Sequence, residues 1–216
     1  MRNARTSEKA HSRQRPQKVQ VITMDIWQAK RWKKVLPEDC RRGLRTRFDP
    51  DASPEIKAYC KEMCKWLQYY WDFPMRVPIY FKNREFIRAA DGDKCAAIFS
   101  GPYNHSEEPY IRIALGDYEK ITKKWGKDRA IANTLRCIPH ELTHYFQWIN
   151  DIRLTEIGEE RQATVYARDI LEYFLMECEP EMYERLLNAI IADQSDIAQC
   201  NVKMVWENNL HSRILL

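Results

Sequence analysis

His140-Glu141-Leu142-Thr143-His144 is the stretch of the chain where residue type and spacing point to a definite chemistry. Two histidines four apart lie one turn apart on the same face of a helix. So placed, their imidazoles hold a single zinc ion at about 2.0–2.1 Å each. Glu141 follows the first histidine directly, so its carboxylate points beside the metal rather than at it. From there it takes the proton of a metal-activated water and relays it to a leaving amine. Leu142, Phe146 and Ile149 surround the histidine face with apolar bulk, where paired imidazoles are costly unless a cation joins them. Pro139, just before the first ligand, removes a backbone donor and crowds the preceding turn. The expectation is a kink there, or a new helix beginning near Pro139 with 127–137 as a separate segment.

A zinc that activates water needs a third protein ligand and an open position. The downstream candidates are Glu156, Glu159, Glu160, Gln162, Asp169 and His211. Counting from Glu160, positions i+3, i+4, i+7, i+11 and i+14 are Ala163, Thr164, Ala167, Leu171 and Phe174. Glu160 therefore heads an apolar stripe and faces the same core as the histidine helix. Glu159 is about 100° away around that helix and Asp169 is on its opposite side. Glu160 is the expected ligand, with Glu159 in reserve; a glutamate near a helix N-terminus also serves the dipole. His105 reads as a solvent-exposed loop histidine, and His11 and His211 lie near the termini. Tyr110, Tyr145 and Tyr166 are candidate donors to a developing oxyanion, and the sequence does not choose among them.

The elements that position these residues follow from periodicity and punctuation. Residues 1–18 are polar, basic and aperiodic, as a disordered segment is. Segment 19–36 carries Val21, Ile22, Ile26, Trp27, Trp32, Val35 and Leu36 among lysines, a short amphipathic helix that packs on the body and stops at Pro37. Residues 41–51 read as a charged linker. Ser53-Pro54 starts a helix whose apolar positions run from Ile56 to Trp71, and Asp72-Phe73-Pro74 ends it. Three strands are expected at Val77–Phe81, Cys95–Ser100 and Tyr110–Leu115. Helices are expected over about 127–150, 158–177 and 180–192. The result is an α+β domain, a small mixed or antiparallel sheet of about three strands packed on helices. It spans 53–200, after a basic arm (1–47) and before a C-terminal tail (201–216).

Composition sets outer bounds. No apolar run approaches the roughly 18 residues of a membrane span, and the N-terminus has no secretory h-region. Seven irregularly spaced cysteines argue against a disulfide framework and for reduced thiols in a cytoplasmic protein. Residues 1–47 hold fourteen Lys/Arg against four Asp/Glu although the whole chain is only +4. Such a basic arm neutralises phosphates when it meets nucleic acid, solubilises the chain, or docks on the acidic body.

Residues 137–148 together with Gly158-Glu159-Glu160-Arg161-Gln162-Ala163-Thr164-Val165-Tyr166-Ala167 resemble the gluzincin metallopeptidases. More narrowly they resemble the compact ImmA/IrrE-type peptidases of phages and mobile elements. The similarity covers about residues 53–176. It implies zinc, Zn2+, on His140, His144 and a downstream glutamate, with Glu141 as general base and a protein or peptide substrate. It also implies that an edge strand, expected at 110–115, lines the cleft. These families often carry glutamate immediately before the alanine of the second motif, where this chain has Gln162. SprT-type proteases share the spacing and a basic DNA-directed region, but complete the site with a third histidine, and no suitably placed histidine follows His144 here. The expected activity is a zinc endopeptidase; the alternatives are a DNA-associated protease or regulator and a non-catalytic zinc protein.

Overall fold

Alternation along the strands decides which face of the sheet the helices cover. The computed structural model describes residues 25–34, 36–90 and 92–199, the side chains of Asp25 and of 190–199 excepted. The readings for 1–18 and 201–216 lie outside the described residues. In chain order the elements are α1 (Asp25–Gln28), a 3-10 turn (Arg31–Lys34), β1 (Leu44–Phe48), α2 (Pro54–Tyr70) and β2 (Val77–Lys82). A small antiparallel pair, β3 (Ile87–Arg88) and β4 (Lys94–Cys95), precedes β5 (Ala97–Ser100) and β6 (Tyr110–Ala114). Four helices close the chain: α3 (Tyr118–Trp125), α4 (Lys127–Ile149), α5 (Glu156–Cys178) and α6 (Pro180–Gln199). The protein is α+β, with a mixed four-stranded sheet in the order β1-β2-β6-β5.

β1, β2 and β6 run parallel and β5 is antiparallel to β6. Leu44, Val77, Ile79, Phe81, Ile111 and Ile113 are buried on one face, in one core with α2 and α4. Strand period two makes that assignment automatic. β1 corrects the linker reading of 41–51. Its alternation Leu44-Arg45-Thr46-Arg47-Phe48 points two arginines outward and packs Phe48 on Phe81, ring centroids 4.4 Å apart.

Of the expected helix over 19–36, residues 19–24 and 35 lie outside the described residues; the part from 25 to 34 packs on the body as a four-residue helix and a 3-10 turn. Ile26 and Trp27 are buried. Asn150 ties the segment to the end of α4, its Oδ1 accepting from the N–H groups of Arg31 and Trp32 and its Nδ2 donating to the Ile26 carbonyl. α4 runs unbroken through Pro139, so 127–137 is not a separate segment. α3 was not anticipated. α4 and α5 make the most extensive contact between any two elements, across Ala163 and Ala167, both fully buried. No cysteine among the described residues forms a disulfide, and burial pushes the Cys64 thiol up to about 12. No described helix is long and apolar enough to cross a membrane.

Candidate metal centre

α4 delivers His140, Glu141 and His144 because the histidines fall one turn apart on the flank of an otherwise buried helix. α5 begins at Thr155, whose hydroxyl caps it by accepting from the Gly158 N–H at 3.2 Å, and its second turn brings Glu160 over the histidines. Nε2 of His140 and Nε2 of His144 are 3.3 Å apart. Glu160 Oε2 is 3.3 Å from the first, and Oε1 is 3.2 Å from the second. A tetrahedral zinc with bonds of about 2.0–2.1 Å sets its ligand atoms about 3.3 Å apart. The two imidazole nitrogens therefore have the spacing of such a site, and Glu160 faces them with one oxygen toward each.

The protonation pattern also fits a cation. Burial, with His144 and the Arg136 guanidinium adding to it, holds the His140 imidazole down to about 4, so it is neutral at physiological pH. His144 is fixed by Gln147. The Gln147 amide nitrogen donates to the Glu159 carbonyl at 3.1 Å and to Gln162 Oε1 at 3.0 Å, which leaves its Oε1 facing His144 Nδ1 at 2.8 Å. Nδ1 must then carry the proton, and Nε2 presents its lone pair to the centre. Two imidazole nitrogens and a carboxylate converge on one point, and a cation satisfies all three at once.

No protein-family model, curated protein or solved structure matches this chain. The chemistry of the site therefore rests on its own residues. Glu141 is buried beside the two histidines. Burial first, and Glu160 second, pushes its carboxyl up to about 8, while the Phe99 backbone N–H partly offsets them. That N–H is available because Ala114 N–H bonds to the Ala96 carbonyl. In an antiparallel ladder of this register, residues 96, 98 and 100 turn their backbone groups toward β6. Those of Ala97 and Phe99 face the open edge.

Here the structure corrects the expected edge strand: 110–114 is interior, between β2 and β5, and β5 borders the cleft. The cleft, about 860 Å³, lies between that edge, the histidine face of α4 and the start of α5. Its far wall is the loop after β5. Trp148 Nε1 donates to the Pro102 carbonyl at 2.9 Å, and a Cβ on Gly101 would lie 2.8 Å from both Phe99 and Trp148 side chains. Only glycine allows that approach. His105 is not the exposed loop residue expected. It is half-buried on the cleft wall, stacked on Trp148 at 4.4 Å, and its Nε2–H donates to the Trp148 carbonyl at 3.1 Å.

Among the other sequence candidates, Glu159 contributes its carbonyl, not its carboxylate, and Gln162 braces Gln147. Asp169 pairs with Arg168 and Glu156 is exposed in the first turn of α5. Tyr145 is buried, its hydroxyl donating to the Met75 carbonyl at 2.8 Å, and Tyr110 is on the outer face of the sheet; Tyr166 does not line the cleft. His11 and His211 lie outside the described residues. Glu160 itself differs from expectation, since its side chain is 59% exposed. The apolar stripe of α5 enters the core only from Ala163, Thr164 is exposed on the cleft side, and the first turns overhang the cleft.

Gln147 has no place in the sequence reading, although a glutamine in the run Tyr145-Phe146-Gln147-Trp148, three residues after the candidate ligand His144, is the available signal. Gln147→Leu keeps the volume and removes the acceptor for His144 Nδ1–H. It should weaken zinc binding about 10–100-fold in competition with a chromophoric chelator. Unchanged affinity would reduce Gln147 to a tie between α4 and α5.

Proposed function

We propose that the protein is a zinc-dependent endopeptidase that cleaves a protein or peptide substrate. The reading is carried by one observation: the Nε2 atoms of His140 and His144 are 3.3 Å apart and Glu160 sets one carboxylate oxygen 3.2–3.3 Å from each, with Glu141 beside them on the floor of an open cleft. Zinc bound there supplies a Lewis acid for the scissile carbonyl and an acidified nucleophilic water. A cation bound beside Glu141 would favour its ionised form, and the carboxylate would then accept the proton of that water and pass it to the leaving nitrogen. The Phe99 N–H holds the carboxylate in place during both transfers.

The open edge of β5 supports a peptide substrate over a small molecule. A chain laid along Ala97–Phe99 adds a strand to the sheet and draws its backbone past Glu141. The resemblance of residues 137–148 and 158–167 to gluzincins points the same way, as does the four apart spacing of the two histidines.

The deciding measurement is zinc per chain by elemental analysis on wild type, His144→Ala and Glu160→Ala, after dialysis without added metal. About one zinc in wild type and a large loss in both variants is the expected result. Retention in Glu160→Ala would move the third ligand elsewhere. No zinc in wild type, even after reconstitution, would sink the metallopeptidase reading.

A further inference from the structure

The helices cover one face of the sheet, and the other face has an unusual composition. Register places Arg47 of β1 beside Tyr80 of β2, and Tyr80 beside Arg112 of β6. Arg45 and Lys82 project from the same face by the period-two rule. None of the four strands contains an aspartate or a glutamate. Tyr80 and Tyr110 are 39% and 37% exposed, their ring centroids 6.3 Å apart at 79°, and the Arg112 guanidinium stands 5.6 Å from the Tyr110 ring.

The carboxylates at the rim are already engaged. Asp49 holds Lys82 at 2.6 Å, Glu108 holds Arg41 and Arg76, and Glu85 holds Lys120 at 2.7 Å. Among the described residues no carboxylate pairs with Arg45, Arg47 or Arg112. Arg112 carries a second signal. Its Nε is buried and has no hydrogen-bond acceptor, and its side chain lines a cavity of about 500 Å³ together with Lys82, Arg84, Arg88 and the Lys120-paired Glu85. A buried guanidinium N–H without an acceptor is costly, and the cavity beside it is walled mainly by cations.

We propose that this outer sheet face binds single-stranded nucleic acid, with bases stacked on Tyr80 and Tyr110 and phosphates on Arg45, Arg47 and Arg112. Arginines supply the sequence-independent attraction to phosphate. Exposed rings set between them stack on any unpaired base, whereas bases inside a duplex are already stacked on one another. An acidic protein partner would use the cations and leave the rings idle. The surface is independent of the metal centre, which lies on the helix side of the sheet.

The test is fluorescence anisotropy of the full chain with labelled oligothymidylate and oligouridylate of about 15 nucleotides, at about 50 mM salt and above. Tyr80→Ala and Tyr110→Ala should each weaken binding at least about fivefold, and the Tyr→Phe variants should bind like wild type. Arg47→Gln with Arg112→Gln should flatten the slope of log K against log salt by about 1.4. An unlabelled duplex should compete about tenfold less well than the single strand. Absence of binding overturns the proposal, as does a duplex that competes equally. So does full affinity in both Tyr→Ala variants, which would assign binding to basic segments elsewhere. All these side chains leave the core untouched, and circular dichroism checks that the variants fold.

Discussion

Glu141→Gln should lower kcat about 10²–10⁴-fold on any peptide the wild type cleaves, with KM little changed and about one zinc per chain retained. The amide has the same shape, and its oxygen still accepts from the Phe99 N–H. It cannot accept a proton, so the nucleophile is no longer deprotonated as it attacks and the leaving nitrogen is no longer protonated. The loss falls on the transition state alone. Stability should move the other way. Glu141 is a carboxyl only 6% exposed, pushed up to about 8 chiefly by burial, and a neutral amide avoids the cost of burying a charge. A thermal melt at neutral pH should therefore find the apo variant at least as stable as the apo wild type. Activity within about threefold of wild type would remove Glu141 from the proton path. A collapse of zinc content in the same variant would instead make Glu141 part of the metal-holding set.

What the chain disclosed in advance, and what it hid, divides along local and non-local interactions. The histidine pair, Glu141 and the helix that bears them are legible because i, i+4 spacing is a property of one helix. Helix α2 is marked by Pro54 at its first turn, although Ser53 makes no side-chain cap bond there. The stripe below Glu160 is buried at Ala163, Ala167, Leu171 and Phe174, while Thr164 faces the cleft. The first turn of α5 emerges from the core, which no single-helix pattern reveals. Three features depend on pairing between distant segments. β1 is five residues long, two of them arginines, and becomes a strand only by lying parallel to β2 across the intervening α2. Which strand forms the cleft edge depends on β5 folding back antiparallel on β6, so the apolar alternation of Ile111 and Ile113 marked a central strand instead. The role of Gln147 depends on what α5 places opposite it, the Glu159 carbonyl and Gln162. The outer sheet face was equally hidden, because Arg47, Tyr80 and Arg112 lie far apart in the chain and meet only through the register.

Trp27→Ala should cost about 3–5 kcal/mol, a large share of the roughly 5–15 kcal/mol that holds a domain of this kind folded. The indole is 3% exposed and packs on Phe146 at 4.6 Å and Trp71 at 5.1 Å. Its Nε1–H donates to Thr143 Oγ1 at 3.1 Å, while that hydroxyl donates to the Pro139 carbonyl at 2.8 Å. Pro139 and Thr143 each immediately precede a zinc-ligand candidate, so the N-terminal segment braces the turn of α4 that carries both histidines. Truncation opens a cavity against α4 and leaves the Thr143 oxygen short of a donor, in a residue with no exposed surface. Trp27→Phe keeps most of the ring contact and loses the hydrogen bond, so its cost should fall to about 1–2 kcal/mol. Urea unfolding at constant m-value separates the two. If Trp27→Ala costs less than about 1 kcal/mol, residues 25–34 are an appendage rather than a wall of the core. If it costs the full amount and also weakens zinc binding, the segment stabilises the fold and the geometry of the metal centre through the same hydroxyl.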